Sequence, residues 1–125
     1  MSLLKPTPGE VIDRLSVVLL KISAATEKGW PSGHFLEELS LLSHWLSENL
    51  GWQISISIPE VAHLAQVNQL LWQKTEDQHN YQEELHGPHR GADLLVEIRN
   101  LNIERNRLRE EIDKRLGTWK GAEKV

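Results

Sequence analysis

Apolar side chains recur at helical spacing in four stretches of this chain, and glycine- or proline-bearing breakers separate the stretches. Val11, Leu15, Val18, Ile22 and Ala25 advance by alternate steps of four and three, with Ile12 and Leu19 widening the stripe. Ahead of them Thr7-Pro8-Gly9-Glu10 reads as a capping box. The threonine hydroxyl accepts from the amide three residues on, and proline suits the first helical position. Lys28-Gly29 closes the pattern, so a first helix is expected over about 8–28. After the Trp30-Pro31-Ser32-Gly33 turn, Phe35, Leu39, Leu42, Leu46 and Leu50 mark a second helix over about 34–50, ended by Gly51.

Gln53 to Ile58 alternates strictly and has the period of a strand. A lone strand would leave its backbone groups unpaired, so an extended connector laying its isoleucines on the helices is the expectation here. Pro59 opens a third helix over about 59–85 with Val61, Leu64, Asn68, Leu71 and Thr75 on one face and Trp72 beside it. The cluster His86-Gly87-Pro88-His89-Arg90-Gly91 breaks it. A fourth helix over about 92–116 carries Leu94, Ile98, Leu101, Arg105, Leu108 and Ile112, and 117–125 is expected to be a loose tail. Short connections favour antiparallel neighbours, which predicts an all-α, four-helix up-down bundle with a long hairpin of helices three and four. At 125 residues the chain is one helical domain, 1–125.

Composition removes several function classes. The chain has no cysteine, which excludes disulfides, thiol nucleophiles and the common structural zinc sites. A net charge of −4 gives no general attraction to phosphate backbones, so no nucleic-acid partner is expected. No apolar run is long enough to span a membrane, and the beginning of the chain lacks a signal-peptide core; the expected location is cytoplasmic. Glu76 and His79 have the spacing of a di-iron helix, yet that chemistry needs the motif twice, and no metal or cofactor is expected. In helix four the basic and acidic residues balance, as on a solvated face.

The informative departures are polar residues in apolar stripes. Asn68 and Arg105, with Asn102 beside the latter, stand where hydrophobic side chains belong, and a buried cation requires a partner. Counting equal rises from the 86–91 turn sets Trp72 opposite Arg105 and Glu76 opposite Asn102. Trp72, Glu76, Asn102 and Arg105 are therefore the candidate ligand-binding residues: a cation, an aromatic face and hydrogen-bonding groups suited to a sugar phosphate or nucleotide sugar. The competing reading is a buried network that fixes helix register. Helix one can contribute Glu10, Asp13 or Lys21, with Glu10 and Asp13 expected lower, near Ile112 and Asp113. Five tryptophans in so short a chain are candidate interface anchors.

Three stretches carry a resemblance: Thr7 to Ser16, Asn68 to Trp72 with Glu76-Asp77, and Leu101 to Asn106 followed by Glu111-Ile112-Asp113. In this order they resemble a bacterial family of small helical proteins classed as a domain of unknown function, whose relatives tend to lie near glycosyltransferase and lipopolysaccharide genes. The resemblance implies a helical accessory or interaction module, a homo-oligomer or one with a protein partner, linked to cell-envelope glycan assembly. Its motif positions fall on Glu10, Asp13, Asn68, Trp72, Glu76, Asp77, Asn102, Arg105, Asn106 and Asp113. Of these, Glu10, Asp13, Asn68, Asp77, Asn106 and Asp113 are expected to form a structural polar network.

Overall fold

A computed structural model of the chain describes residues 6–116 except 88, and the side chains of these except 52, 56, 83 and 84. The segment 117–125, expected as a loose tail, lies outside the described residues. Four long helices form the molecule: α1 (Pro8–Lys28), α2 (Gly33–Asn49), α3 (Ile58–His79) and α5 (Arg90–Arg115). A single-turn helix, α4 (Glu83–His86), lies between α3 and α5, and the described residues contain no strand. The fold is an all-α bundle.

Helix α1 is fixed at both ends by the residues the pattern marks. Thr7 Oγ1 accepts from the Glu10 amide at 3.2 Å, Pro8 is the first helical residue, and Gly29 closes the helix in the left-handed conformation with φ 70°. Two faces of α1 are buried. One contributes Ile12 to a core with Leu64, Val67 and Leu71 of α3 and Leu108, Ile112 and Leu116 at the end of α5. The other sets Val11 and Val18 against Leu42 of α2, with Leu15, Ile22, Phe35 and Leu39 around them. Trp45 and Leu46 touch both cores.

Helices α1 and α3 run in one direction, and α2 and α5 run against them. The start of α1 meets the end of α5, where the Gly9 amide donates to Asp113 Oδ1 at 2.7 Å. The hairpin of α3 and α5 is the most extensive helix pair; α2, by contrast, lies along α1 and meets the core shared with α3 and α5 through Trp45 and Leu46. The bundle is not closed between α2 and α3.

Two local expectations are corrected. The Gly51–Ser57 segment is not an extended connector but a 3₁₀ helix, running directly from α2 into α3. Its seven residues satisfy backbone groups by short-range bonds, and the Ser57 hydroxyl adds one to the Ile54 carbonyl at 3.0 Å. Ile54 still packs on the core, as the alternation implied. The third helix ends at His79, not near 85, because its polar upper half offers no apolar stripe to bury beyond that point. Tyr81 then pins the return: its hydroxyl donates to the Gly87 carbonyl at 2.8 Å, and its ring lies against Gly91, where an added Cβ would sit 3.2 Å from Cε1.

Gly9 lies unusually close to the backbone of α5. A Cβ at Gly9 would lie 2.4 Å from the Arg109 carbonyl oxygen, inside any allowed contact, whereas at Gly33 a Cβ meets open space. Gly9→Ala is expected to cost about 1–3 kcal/mol by forcing the two helices apart. Gly33→Ala should be neutral or stabilising by up to about 1 kcal/mol. Equilibrium denaturation of the two variants checks the pair, and equal effects at both positions would contradict the close packing.

Candidate functional site

The polar residues of the stripes converge on one carboxylate. Asp13, whose side chain is 4% exposed, is reached from two other helices. Arg105 of α5 grips it side-on, with Nε 2.9 Å from Oδ1 and Nη2 2.8 Å from Oδ2. Arg109, one turn further along α5, places Nη1 3.3 Å from Oδ2. Asn68 of α3 donates from Nδ2 to Oδ1 at 2.8 Å and to the Ser16 hydroxyl at 3.2 Å. The expected partner for the buried cation is thus Asp13, which stands higher along α1 than the sequence count placed it.

The hairpin register explains that shift. Lys74 Nζ lies 3.2 Å from Glu97, a pairing that centres the hairpin nearer residues 85–86 than 88–89. Asn68, not Trp72, consequently shares the level of Arg105, and both meet Asp13 there. Asn102 faces solvent and joins neither the network nor the clefts around it. Asp77 is likewise exposed on α3. Asn106 is exposed and accepts from Arg109 Nη2 at 2.7 Å, holding that guanidinium from outside.

Two clefts flank the network along one face of α1, where Val17 and Leu20 follow Asp13 by four and seven residues. The first, about 270 Å³, is lined by Val17 and Leu20 of α1, by Asn68, Leu71, Trp72, Thr75 and Glu76 of α3, and by Arg105. It brings together three of the four candidate ligand-binding residues, Trp72, Glu76 and Arg105. Trp72 Nε1 donates to Glu76 Oε1 at 3.1 Å, one helical turn away. The second cleft, about 690 Å³, is lined by Glu10, Asp13, Arg14, Glu38, Arg105 and Arg109. Its α2 wall is held by a two-pronged pair, Arg14 Nε and Nη2 lying 2.6 and 2.8 Å from the Glu38 oxygens. That hydrogen-bonded contact lowers the Glu38 carboxyl below its ordinary value.

Asp113 behaves oppositely. Burial raises its carboxyl above the ordinary value, against the opposing hydrogen bonds from the Gly9 amide and the Thr7 hydroxyl. It accepts one of the amides that the first turn of α1 leaves unpaired, so α5 caps α1 across the bundle.

Several contributors were not found by sequence reasoning. Arg109 stands among the balanced charges of the fourth helix, yet its position four residues after Arg105 puts it on the same side of α5. Ser16 follows Asp13 by three residues and shares its face in the same way. The Arg14–Glu38 pair links two helices whose register no local pattern reveals. Of the tryptophans, Trp45 is half-buried between the cores, Trp72 is half-buried at its cleft, and Trp30 is exposed beneath Lys28, whose Nζ is 4.6 Å from the ring centroid. Trp119 and the side chain of Trp52 lie outside the described residues. No helix among the described residues is long and apolar enough to cross a membrane, and none of their His, Asp and Glu side chains gather as a metal-binding group of three.

Comparison of the chain with protein-family models, with curated proteins and with solved structures returned no match. The site is therefore interpreted from its own chemistry.

Removing the shared acceptor and removing one of its donors should differ in cost. Asp13→Ala leaves two part-buried guanidiniums and an amide without their acceptor, a loss of about 3 kcal/mol at the low end for buried pairs because both arginines keep some water. Arg105→Met leaves Asp13 still held by Arg109 and Asn68, and about 1–2 kcal/mol is expected. Urea unfolding of both variants tests the order; a larger loss for Arg105→Met would place the energetic centre elsewhere.

Asp113 makes a pH-dependent contribution. Because its folded value lies above the unfolded one, its stabilising contribution is complete below the unfolded value and is lost as pH rises through the folded value. Asp113→Asn keeps an acceptor for the Gly9 amide and removes the titration. The variant should therefore lose less stability than wild type on going from acid to neutral pH across that window, measured by thermal midpoints in a pH series.

Proposed function

We propose that this protein is a non-catalytic helical interaction module that works by self-association, a second copy docking on the open α1–α3 side. The observation that carries the reading is an apolar groove of about 290 Å³ between α1 and α3, lined by Ile12, Leu15, Leu19 and Leu20 on one wall and Val61 and Ala65 on the other. Leu19 is 49% exposed along it, and Ile58, which precedes Val61 by one turn of α3, is 58% exposed. In a closed four-helix bundle the second helix would cover such a face; here no residue of α2 lines the groove. Contiguous apolar surface of this kind on a small domain favours a protein partner.

The polar layer supports the same reading from the other side. Arg105, Arg109 and Asn68 direct hydrogen bonds to Asp13 from two other helices, an arrangement that positions helices. Asp13, Asn68 and Asp113 belong to the stretches that resemble the bacterial family, which extends the reading to an accessory role in cell-envelope glycan assembly.

Sedimentation velocity over a wide concentration range tests the proposal. Wild type should associate, and Leu19→Arg should shift the equilibrium to monomer by at least about tenfold in dissociation constant while leaving helicity unchanged. A wild-type protein that stays monomeric at every concentration rules out self-association, and association that ignores charges placed at Leu19 and Ala65 rules out the α1–α3 groove as its interface.

A further inference from the structure

The cleft beside Trp72 lies across the molecule's polar network from the Arg14–Glu38 side and carries polar groups that the fold leaves open. Asn68 is 3% exposed, and its amide nitrogen is committed to Asp13 and Ser16. Its oxygen is consequently turned from Asp13 and has no protein partner among the described residues. Arg105 binds Asp13 through Nε and Nη2, which leaves Nη1 without a protein partner among the described residues. Glu76 receives the Trp72 indole on Oε1, and Oε2 remains. The Asn68 oxygen is not among the buried atoms lacking a partner, so it keeps contact with solvent, where a ligand hydroxyl can take the place of water.

From these groups we infer that the cleft binds one neutral pyranose ring, the end of a glycan or a simple glycoside. Arg105 and Asn68 both line the cleft, one with donors and the other with an acceptor to spare, and hydroxyl groups, which both donate and accept, match such a pair. The indole, held in place by its bond to Glu76, offers a flat electron-rich face to the C–H face of a sugar ring, and Val17 and Leu20 bound the opposite side.

Size and charge narrow the class. At about 270 Å³ the cleft is smaller than the roughly 300–1,000 Å³ of sites for drug-sized ligands, so it takes one ring and not a nucleotide sugar. Arg105 shares the charge of Asp13 with Arg109, and Glu76 adds an anion at the rim. The second cation on Asp13, Arg109, lines the neighbouring cleft beside Glu10. A phosphate would therefore meet the Glu76 carboxylate, with the charge of Arg105 already partly offset by Asp13. This narrows the expectation from the sequence, which included phosphorylated sugars.

The test is an amide-correlation NMR titration of the isotope-labelled full chain with methyl glucoside, methyl galactoside, methyl mannoside and methyl N-acetylglucosaminide, and with glucose 6-phosphate. The Trp72 indole signal is assigned by its loss in Trp72→Phe. At least one neutral glycoside should move the Trp72 indole and the Asn68 side-chain signals together and to saturation. Glu76→Ala should weaken that glycoside by about tenfold, and glucose 6-phosphate should bind at least about tenfold more weakly than it. Trp72→Ala, with its fold checked by circular dichroism, should abolish the response. The inference is overturned if no glycoside moves these signals, if the response survives Trp72→Ala, or if the phosphorylated sugar binds more tightly than every neutral one.

Discussion

A single buried carboxylate organises this fold. Asp13 projects from α1 into the space where α1, α3 and α5 meet, and each of the other two helices supplies the hydrogen bonds that make its burial tolerable. An unpaired carboxylate there would cost several kcal/mol, so the helices are constrained to the one register that brings Asn68 and Arg105 to it together. Hydrophobic packing alone is less selective, since leucine stripes tolerate sliding by a turn. The second cross-link, Asp113 on the first turn of α1, lies near the same end of the bundle and fixes the axial position of α5 against α1. Gly9 follows from that constraint, because only a residue without a Cβ lets the helix start approach the α5 backbone so closely.

Much of this was legible in the sequence, and the failures have identifiable causes. The helices announced themselves through apolar periodicity, and the caps at Thr7 and Gly29 use side-chain and backbone chemistry that is local by nature. Asn68 and Arg105 were conspicuous because a polar residue in an apolar stripe breaks the period. The identity of their partner was not readable, because it depends on register, and the register was misjudged by the length of the α3–α5 connection. Tyr81 closes that connection through contacts to Gly87 and Gly91 that no spacing rule encodes. The Gly51–Ser57 segment failed for a different reason: alternation of isoleucine and polar residues reports burial every second position, and a 3₁₀ turn packed on one side can produce the same signal.

Helix α1 is the central element in a second sense. Its Val11–Val18 face carries α2 and its Ile12–Asp13 side carries α3 and α5, so it is covered on two fronts while α2 is covered on one. The result is a compact unit of α1, α3 and α5 with α2 laid on its outside. This arrangement accounts for the apolar groove between α1 and α3: the 3₁₀ turn carries the chain beneath the bundle to begin α3, and α2 does not cross over it. The stripe of α1 is wider than its own chain covers, and that excess is the physical basis for the proposed self-association.

Arg105 joins the two halves of the argument. A guanidinium is planar and offers donors on more than one edge, and here the edge formed by Nε and Nη2 is committed to Asp13 while the residue also lines the Trp72 cleft. A lysine at this position would satisfy Asp13 with a point charge but would not present a fixed donor to the cleft. Asn68 has the same two-sided character, with its nitrogen bound inward and its oxygen left over. The network that fixes helix register therefore also sets the positions of polar atoms on the cleft floor, so a structural role for Asp13 and a binding role for the cleft are compatible. Because the cleft's geometry is inherited from the network, a ligand there would bind a preorganised surface, with little side-chain ordering left to oppose association.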